Sequence, residues 1–309
     1  MRCRFPLDMS YTDDCVTTTF SRKLFSKEII PWQVPCGKCL ECRLEYARQW
    51  AVRCVHEAQM HEENSFITLT YDNENVGDGR LRYSDFQLFM KRLRRSINEP
   101  ISMFVTGEYG DQKKRPHWHA LVFGWRPSDC NYKYSNKRGD RVFESNTLER
   151  LWTHGISEVG SVTFESAGYC ARYAAKKLIH GRDADHDFQP ISKKSSKYAI
   201  GKKWLEKFYL TDCFNHGRIV LDSETMVSIP RYYEKWFKEN HPEEYLCYIR
   251  EVKYPMINKQ IMLRDLDTKA YYQNVDERTL GKEWPLTSKQ IQSVILESNF
   301  NLLQEYLKL

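Results

Sequence analysis

The chain has 309 residues, 41% hydrophobic and 14% aromatic, enough for one substantial core with accessory elements around it. No run of about 18 apolar residues occurs, and Met1 to Pro6 lack a signal-peptide stretch, so the expectation is a soluble cytoplasmic protein without a membrane partner. A net charge of +6, from 47 basic and 41 acidic residues, does not diagnose nucleic-acid binding unless the basic residues cluster. They cluster locally within residues 91–95, 113–115, 172–177 and 193–203, although solvated faces would look the same. Ten cysteines without a secretory signal point to thiols or metal ligands rather than disulfides.

In chain order, residues 1–40 read as irregular, broken by Pro6, Pro31, Pro35 and Gly37. Helical spacing over 41–60 puts Leu44, Ala47, Ala51, Val55 and Ala58 on one face, with Arg43, Arg48 and Arg53 largely elsewhere. Residues 65–71 (SFITLTY) predict a strand, and Ser84 is a credible N-cap for a helix over 85–97. Strands over 101–106 and 117–123, joined by a basic loop, predict an antiparallel hairpin. A short helix near 147–152, a strand near 156–164 and a helix over 167–180 follow, then a polar loop or domain edge over 181–197. Amphipathic pieces at 230–240 and 288–309 carry no legible chemistry.

His117 and His119 are one residue apart in a predicted strand, so both project from one face and could close on one metal ion. Glu108, on the partner strand, could bring a carboxylate to the same ion. Half-buried histidines of no special role would show the same pair. Tyr169 and Tyr173 are four apart, hence on one helix face, with Arg172 and Lys176 each three positions beyond a tyrosine. Packing alone could explain this pair too. A phenol with a pKa near about 10 is a poor nucleophile at neutral pH, so attack on a phosphodiester needs a nearby cation and a polarised phosphate.

Motif by motif, the chain resembles the HUH endonucleases, most closely the replication initiators of gokushovirus-like Microviridae, small single-stranded DNA phages. The likeness covers roughly residues 34–180 and rests on Phe66 to Tyr71 (FITLTY), Arg115 to Phe123 (RPHWHALVF) and Tyr169 to Lys176 (YCARYAAK), in that order. The resemblance implies rolling-circle replication. Tyr169 and Tyr173 would nick and rejoin origin DNA in turn through a 5′-phosphotyrosine, with Mg2+ or Mn2+ held by His117, His119 and Glu108. Lys176, and less directly Lys177, would neutralise phosphate or phenolate charge. Partners implied are single-stranded origin DNA, with a host helicase and polymerase, in the bacterial cytoplasm.

Cys36, Cys39 and Cys42 form a C-x-x-C-x-x-C run, which Cys3 or Cys15 would complete as a tetrahedral structural zinc site, with an iron–sulfur cluster as the alternative. The expected architecture is α+β: an antiparallel sheet of about five strands, the histidines on a central strand and the tyrosine helix across that face. The expected organisation is a Cys-containing segment and packing helix at 1–60, a nickase core at 61–182 and an accessory region at 183–309. Tyr109, Trp118 and Trp125 are candidates for stacking on bases, with core or hairpin packing the more ordinary reading of each, and alternation turns Trp118 to the face opposite the histidines. Two rival readings remain: a metal-dependent phosphoesterase that activates water, and a zinc-stabilised nucleic-acid-binding protein without catalysis.

Overall fold

The computed structural model describes residues 3, 5–11, 18–19, 32–110, 114–136, 138–180, 191–195, 198–221, 225–260, 262–263, 266, 291 and 294–302. The chain divides into two compact units, Met1–Lys207 and Phe208–Leu309. The first contains, in order, β1 (Leu7–Tyr11), β2 (Thr18–Thr19), β3 (Trp32–Val34), α1 (Leu40–Ala58), β4 (Asn64–Tyr71), α2 (Tyr83–Ser96), β5 (Ser102–Tyr109) and β6 (Pro116–Phe123). It continues through β7 (Asn131–Ser135), β8 (Arg141–Glu144), α3 (Asn146–Leu151), β9 (Gly155–Gly160), α4 (Phe164–His180), β10 (Ile191–Lys194) and α5 (Lys202–Phe208). The fold is α+β, as expected. Its main sheet has seven strands in the order β10-β5-β6-β4-β9-β8-β7, all antiparallel.

Alternation along β6 sorts its side chains into two cores. Trp118, Ala120 and Val122 join Ile67, Leu69, Phe86, Phe89 and Leu93 in a core beneath α2 and α3. Leu121 and Phe123 join Phe104, Trp50, Ala51, Ala167 and Cys170 beneath α1 and α4. The sheet is therefore covered by helices on both faces. Gly107 stands opposite Trp118, and a Cβ there would lie 2.6 Å from the indole, so this position of β5 needs glycine.

Several local expectations are corrected. The sheet exceeds five strands because the hairpin β7–β8 extends one edge and β10 the other. β10 falls in the segment expected to be a loop: its four residues pair with β5 from Ile191↔Gly107 to Lys194↔Phe104, and backbone pairing does not require apolar side chains. Arg82, not Ser84, is the N-cap of α2, and it makes no side-chain capping bond. Arg53, expected off the apolar face of α1, is buried and donates from Nε to the Ile200 carbonyl at 3.0 Å. Helix α4 starts earlier than expected because Thr163 and Ser166 cap reciprocally: Ser166 Oγ accepts from Thr163 N (2.8 Å) and Thr163 Oγ1 from Ser166 N (3.2 Å).

The second unit contains β11 (Arg218–Val220), β12 (Met226–Ser228), α6 (Arg231–Asn240) and α7 (Pro242–Tyr248), with π-helical segments at Tyr209–Phe214 and Ile249–Lys253. Phe214 stacks on Phe237, ring centroids 4.0 Å apart, and meets Tyr248 edge-on at 5.0 Å, while Tyr233 is fully buried. Among the described residues no helix is long and apolar enough to cross a membrane.

Candidate active site

Register alone brings three ligand-bearing residues together. β5 and β6 pair Glu108 with His117 and Thr106 with His119, so the carboxylate and both imidazoles rise from one face. On the other side of β6, β4 sets Thr68 against His119. Glu108 Oε1 lies 2.9 Å from His117 Nε2 and 2.7 Å from His119 Nε2. Glu108 and His119 are buried and His117 is half-buried.

The far nitrogen of each ring is also held. His117 Nδ1 lies 3.0 Å from the Arg115 carbonyl, which can only accept, so the proton of a neutral ring sits on Nδ1. Its Nε2 then offers a lone pair toward a carboxylate oxygen. Two lone pairs facing each other at 2.9 Å need a positive charge, either a proton on the ring or a metal ion bound beside both atoms, and a carbonyl holding the far ring nitrogen is how a metal-ligating histidine is oriented. His119 Nδ1 meets Thr68 Oγ1 at 3.0 Å, and Phe66 stacks on the His119 ring with centroids 5.6 Å apart. Glu108 Oε2 is buried without a hydrogen-bond partner, a further oxygen for an ion. Two imidazoles and a carboxylate suit a divalent cation with open coordination positions.

Electrostatics agree with the wiring. Burial pushes the Glu108 carboxyl up, but His119 and His117 more than offset this and hold it well below the usual carboxylate range. Burial pulls His119 down against the attraction of Glu108, which favours the neutral, ligating imidazole.

Helix α4 crosses this face and delivers Tyr169, whose hydroxyl donates to Glu108 Oε1 at 2.8 Å and lies 3.5 Å from His119 Nε2. Positions 173, 176 and 177 lie further along the same helix. The side chains of Tyr173, Lys176 and Lys177 lie outside the described residues, as does Cys15. A cleft of about 750 Å³ leads away from His119 and Tyr169 along β9 to the β7–β8 hairpin, where Arg126, Arg138 and Arg141 line it. Sequence reasoning missed these arginines, although the turn N-K-R-G-D between aromatic residues could have signalled the hairpin that carries Arg138 and Arg141.

Other sequence candidates lie elsewhere. Trp118 is fully buried on the opposite sheet face, where Nε1 donates to Tyr71 Oη, so it cannot stack on bases. Tyr109 accepts from Leu81 N with its hydroxyl, and Trp125 packs against the α2-side core. The basic group on α2 belongs to that far layer too, Arg92 reaching the Leu151 carbonyl. Cys3, Cys36, Cys39 and Cys42 form a separate cluster. Partial burial raises the Cys36 thiol, but backbone N–H groups of Cys39 and Lys38 bring it down to about 7.

Residues 64–178 match the family of the replication-associated protein ORF2. Over its full length the chain is 44% identical to the full length of replication-associated protein VP4 of Bdellovibrio phage phiMH2K. The chain belongs to this family of replication-associated proteins. It is also 35% identical to replication-associated protein ORF4 of Chlamydia phage 1, over 73% of this chain and 61% of that protein. Against replication-associated protein ORF2 of Spiroplasma virus 4 the identity is 26%, over 79% of this chain and 80% of the relative. No solved structure matches the chain. The matched segment, 64–178, runs from β4 into α4 and includes Thr68, Glu108, both histidines and Tyr169.

Proposed function

We propose that this protein initiates rolling-circle replication as a metal-dependent, site-specific single-strand DNA endonuclease and strand transferase of the HUH type, acting in the host bacterial cytoplasm. The observation that carries this reading is the Tyr169 hydroxyl 2.8 Å from Glu108 Oε1, inside the Glu108–His117–His119 cluster. Mg2+ or Mn2+ held by those three residues would polarise the scissile phosphate and steady charge on its oxygens.

The chain supplies the rest. Glu108 orients the Tyr169 phenol and accepts its hydrogen bond, so the nucleophile is positioned before substrate arrives. Tyr169 oxygen forms the new bond to phosphorus and the bond to the 3′ oxygen breaks. The phenol gives up its proton, and the leaving 3′ oxygen ends as a hydroxyl ready for a polymerase. One phosphodiester is exchanged for another, so the tyrosyl ester retains what is needed to rejoin the strand. Tyr173, four residues on, would make the second cut, and Lys176 would neutralise charge beside it. Arg126, Arg138 and Arg141 in the cleft suit the backbone of single-stranded origin DNA.

The test mixes the purified protein with single-stranded DNA covering its own genome's plus strand, in manganese or in EDTA, followed by a denaturing gel. A covalent adduct that needs metal and is lost in the Tyr169→Phe/Tyr173→Phe double variant is the expected result. Cleavage without an adduct would replace tyrosine by water as the nucleophile. Binding without cleavage would remove catalysis altogether.

A further inference from the structure

The four cysteines at the start of the first unit belong to neither core nor to the candidate active site. Their meeting follows from strand pairing. β1 and β3 are antiparallel with Leu7 opposite Val34, and continuing that register carries residue 3 to the level of residue 38. Cys3, 36 residues away in sequence, therefore arrives beside the C-x-x-C-x-x-C run, with its sulfur 3.8 Å from that of Cys39. All four sulfurs lie within 4.8 Å of one another, and none of the four is in a disulfide. Backbone groups turn toward them: Cys36 N donates to Cys3 Sγ (3.2 Å), and Lys38 N and Cys39 N donate to Cys36 Sγ (3.4 Å each).

From this geometry we infer that Cys3, Cys36, Cys39 and Cys42 bind one structural zinc ion. Tetrahedral zinc with sulfurs at about 2.3 Å separates those sulfurs by about 3.8 Å, the spacing already present between Cys3 and Cys39. An iron–sulfur cluster divides its four cysteines among two or four irons, so sulfurs on different irons must be spread more widely. Among single ions that accept four thiolates, zinc outcompetes ferrous iron on affinity. N–H···S bonds of this pattern stabilise thiolate charge, which four thiolates around a dication require.

The site has a structural consequence. Cys39 is the N-cap residue of α1 and makes no side-chain capping hydrogen bond, so the ion would fix the helix start to the incoming chain. α1 packs on α4 in the core that carries Cys170, the residue after Tyr169. Zinc would thus hold in place the layer on which the nucleophile helix rests, without touching the reaction.

The test uses the full chain, purified without chelator, then passed through EDTA and analysed for metal; a second sample is reloaded with cobalt alone. Expected are one zinc per chain that survives EDTA and a tetrahedral cobalt spectrum with strong thiolate charge-transfer absorption. The His117→Ala/His119→Ala variant is expected to keep that zinc, which separates this site from the nickase site. Cys36→His is expected to retain one ion while the cobalt charge-transfer intensity falls by about a quarter, as three thiolates replace four. Zinc lost with the histidines, four thiols titrating freely in a metal-free wild type, disulfides, or visible iron absorption would each overturn the assignment.

Discussion

The two faces of β6 make different use of the same backbone. Toward α2, Trp118, Ala120 and Val122 enter an apolar core in which the Trp118 indole N–H is passed to Tyr71, and Tyr71 in turn donates to Asp85 at 3.0 Å. Toward α4, apolar packing holds through Phe123 and Leu121 and then stops, and His119 and His117 turn their nitrogens to Glu108. One face is apolar from Trp118 to Val122 while the other gives way to the Glu108–His117–His119 cluster of the proposed site, and the period of two keeps them apart. Substitutions on the two faces should therefore fail in different assays.

The largest effect is expected from His119→Ala. Adduct formation should fall by about a thousandfold or more, since metal and charge stabilisation go together. Thermal unfolding should shift by no more than about 4 °C, readable by circular dichroism. Trp118→Ala should do the reverse, lowering unfolding free energy by about 3–5 kcal/mol in a urea titration, while the fraction still folded continues to bind manganese. Thr68→Val sharpens the contrast. It leaves all three ligands and removes the hydroxyl 3.0 Å from His119 Nδ1, so manganese affinity by calorimetry should drop about 10- to 100-fold with little change in stability.

The smallest expected effect concerns pH. His56, stacked on Trp204 with ring centroids 3.5 Å apart, is brought by burial from 6.5 down to about 3. His119 and Glu108 are likewise shifted below their ordinary values. A group depressed in the folded state resists taking up a proton there, so its stabilisation is present above its unfolded pKa and lost as pH falls. Between pH 6.5 and 5, His56 alone should remove about 2 kcal/mol, measured as a lower urea midpoint, and His56→Phe should flatten that decline.

Residues that repeat with a period, or that must converge on an ion, were legible in the sequence. His117 and His119 share a face because strands alternate, and Tyr169 and Tyr173 share a helix stripe because helices repeat every 3.6 residues. The F-I-T-L-T-Y segment was legible as a strand, but the roles of Phe66 and Thr68 depend on the β4–β6 register, which no local pattern encodes. β10 and the β7–β8 hairpin escaped because their side chains are largely polar or exposed, and only backbone pairing marks them. Arg53 was misplaced for a related reason: its partner, the Ile200 carbonyl, is 147 residues away. Trp118 was legible too: alternation about His117 and His119 assigns it to the opposite face, where it is fully buried.

The most direct measurement digests the denatured protein–DNA adduct with trypsin and nuclease and locates the residual nucleotide by mass spectrometry. Cleavage after Arg150, Arg172 and Lys176 separates Tyr169, in the peptide 151–172, from Tyr173, in the peptide 173–176. The expected result is a phosphodiester-linked nucleotide on Tyr169, with a share on Tyr173 when the second cut proceeds. A nucleotide on any peptide outside 151–176, or a free 5′ phosphate with both peptides unmodified, would contradict tyrosine-mediated nicking by this helix.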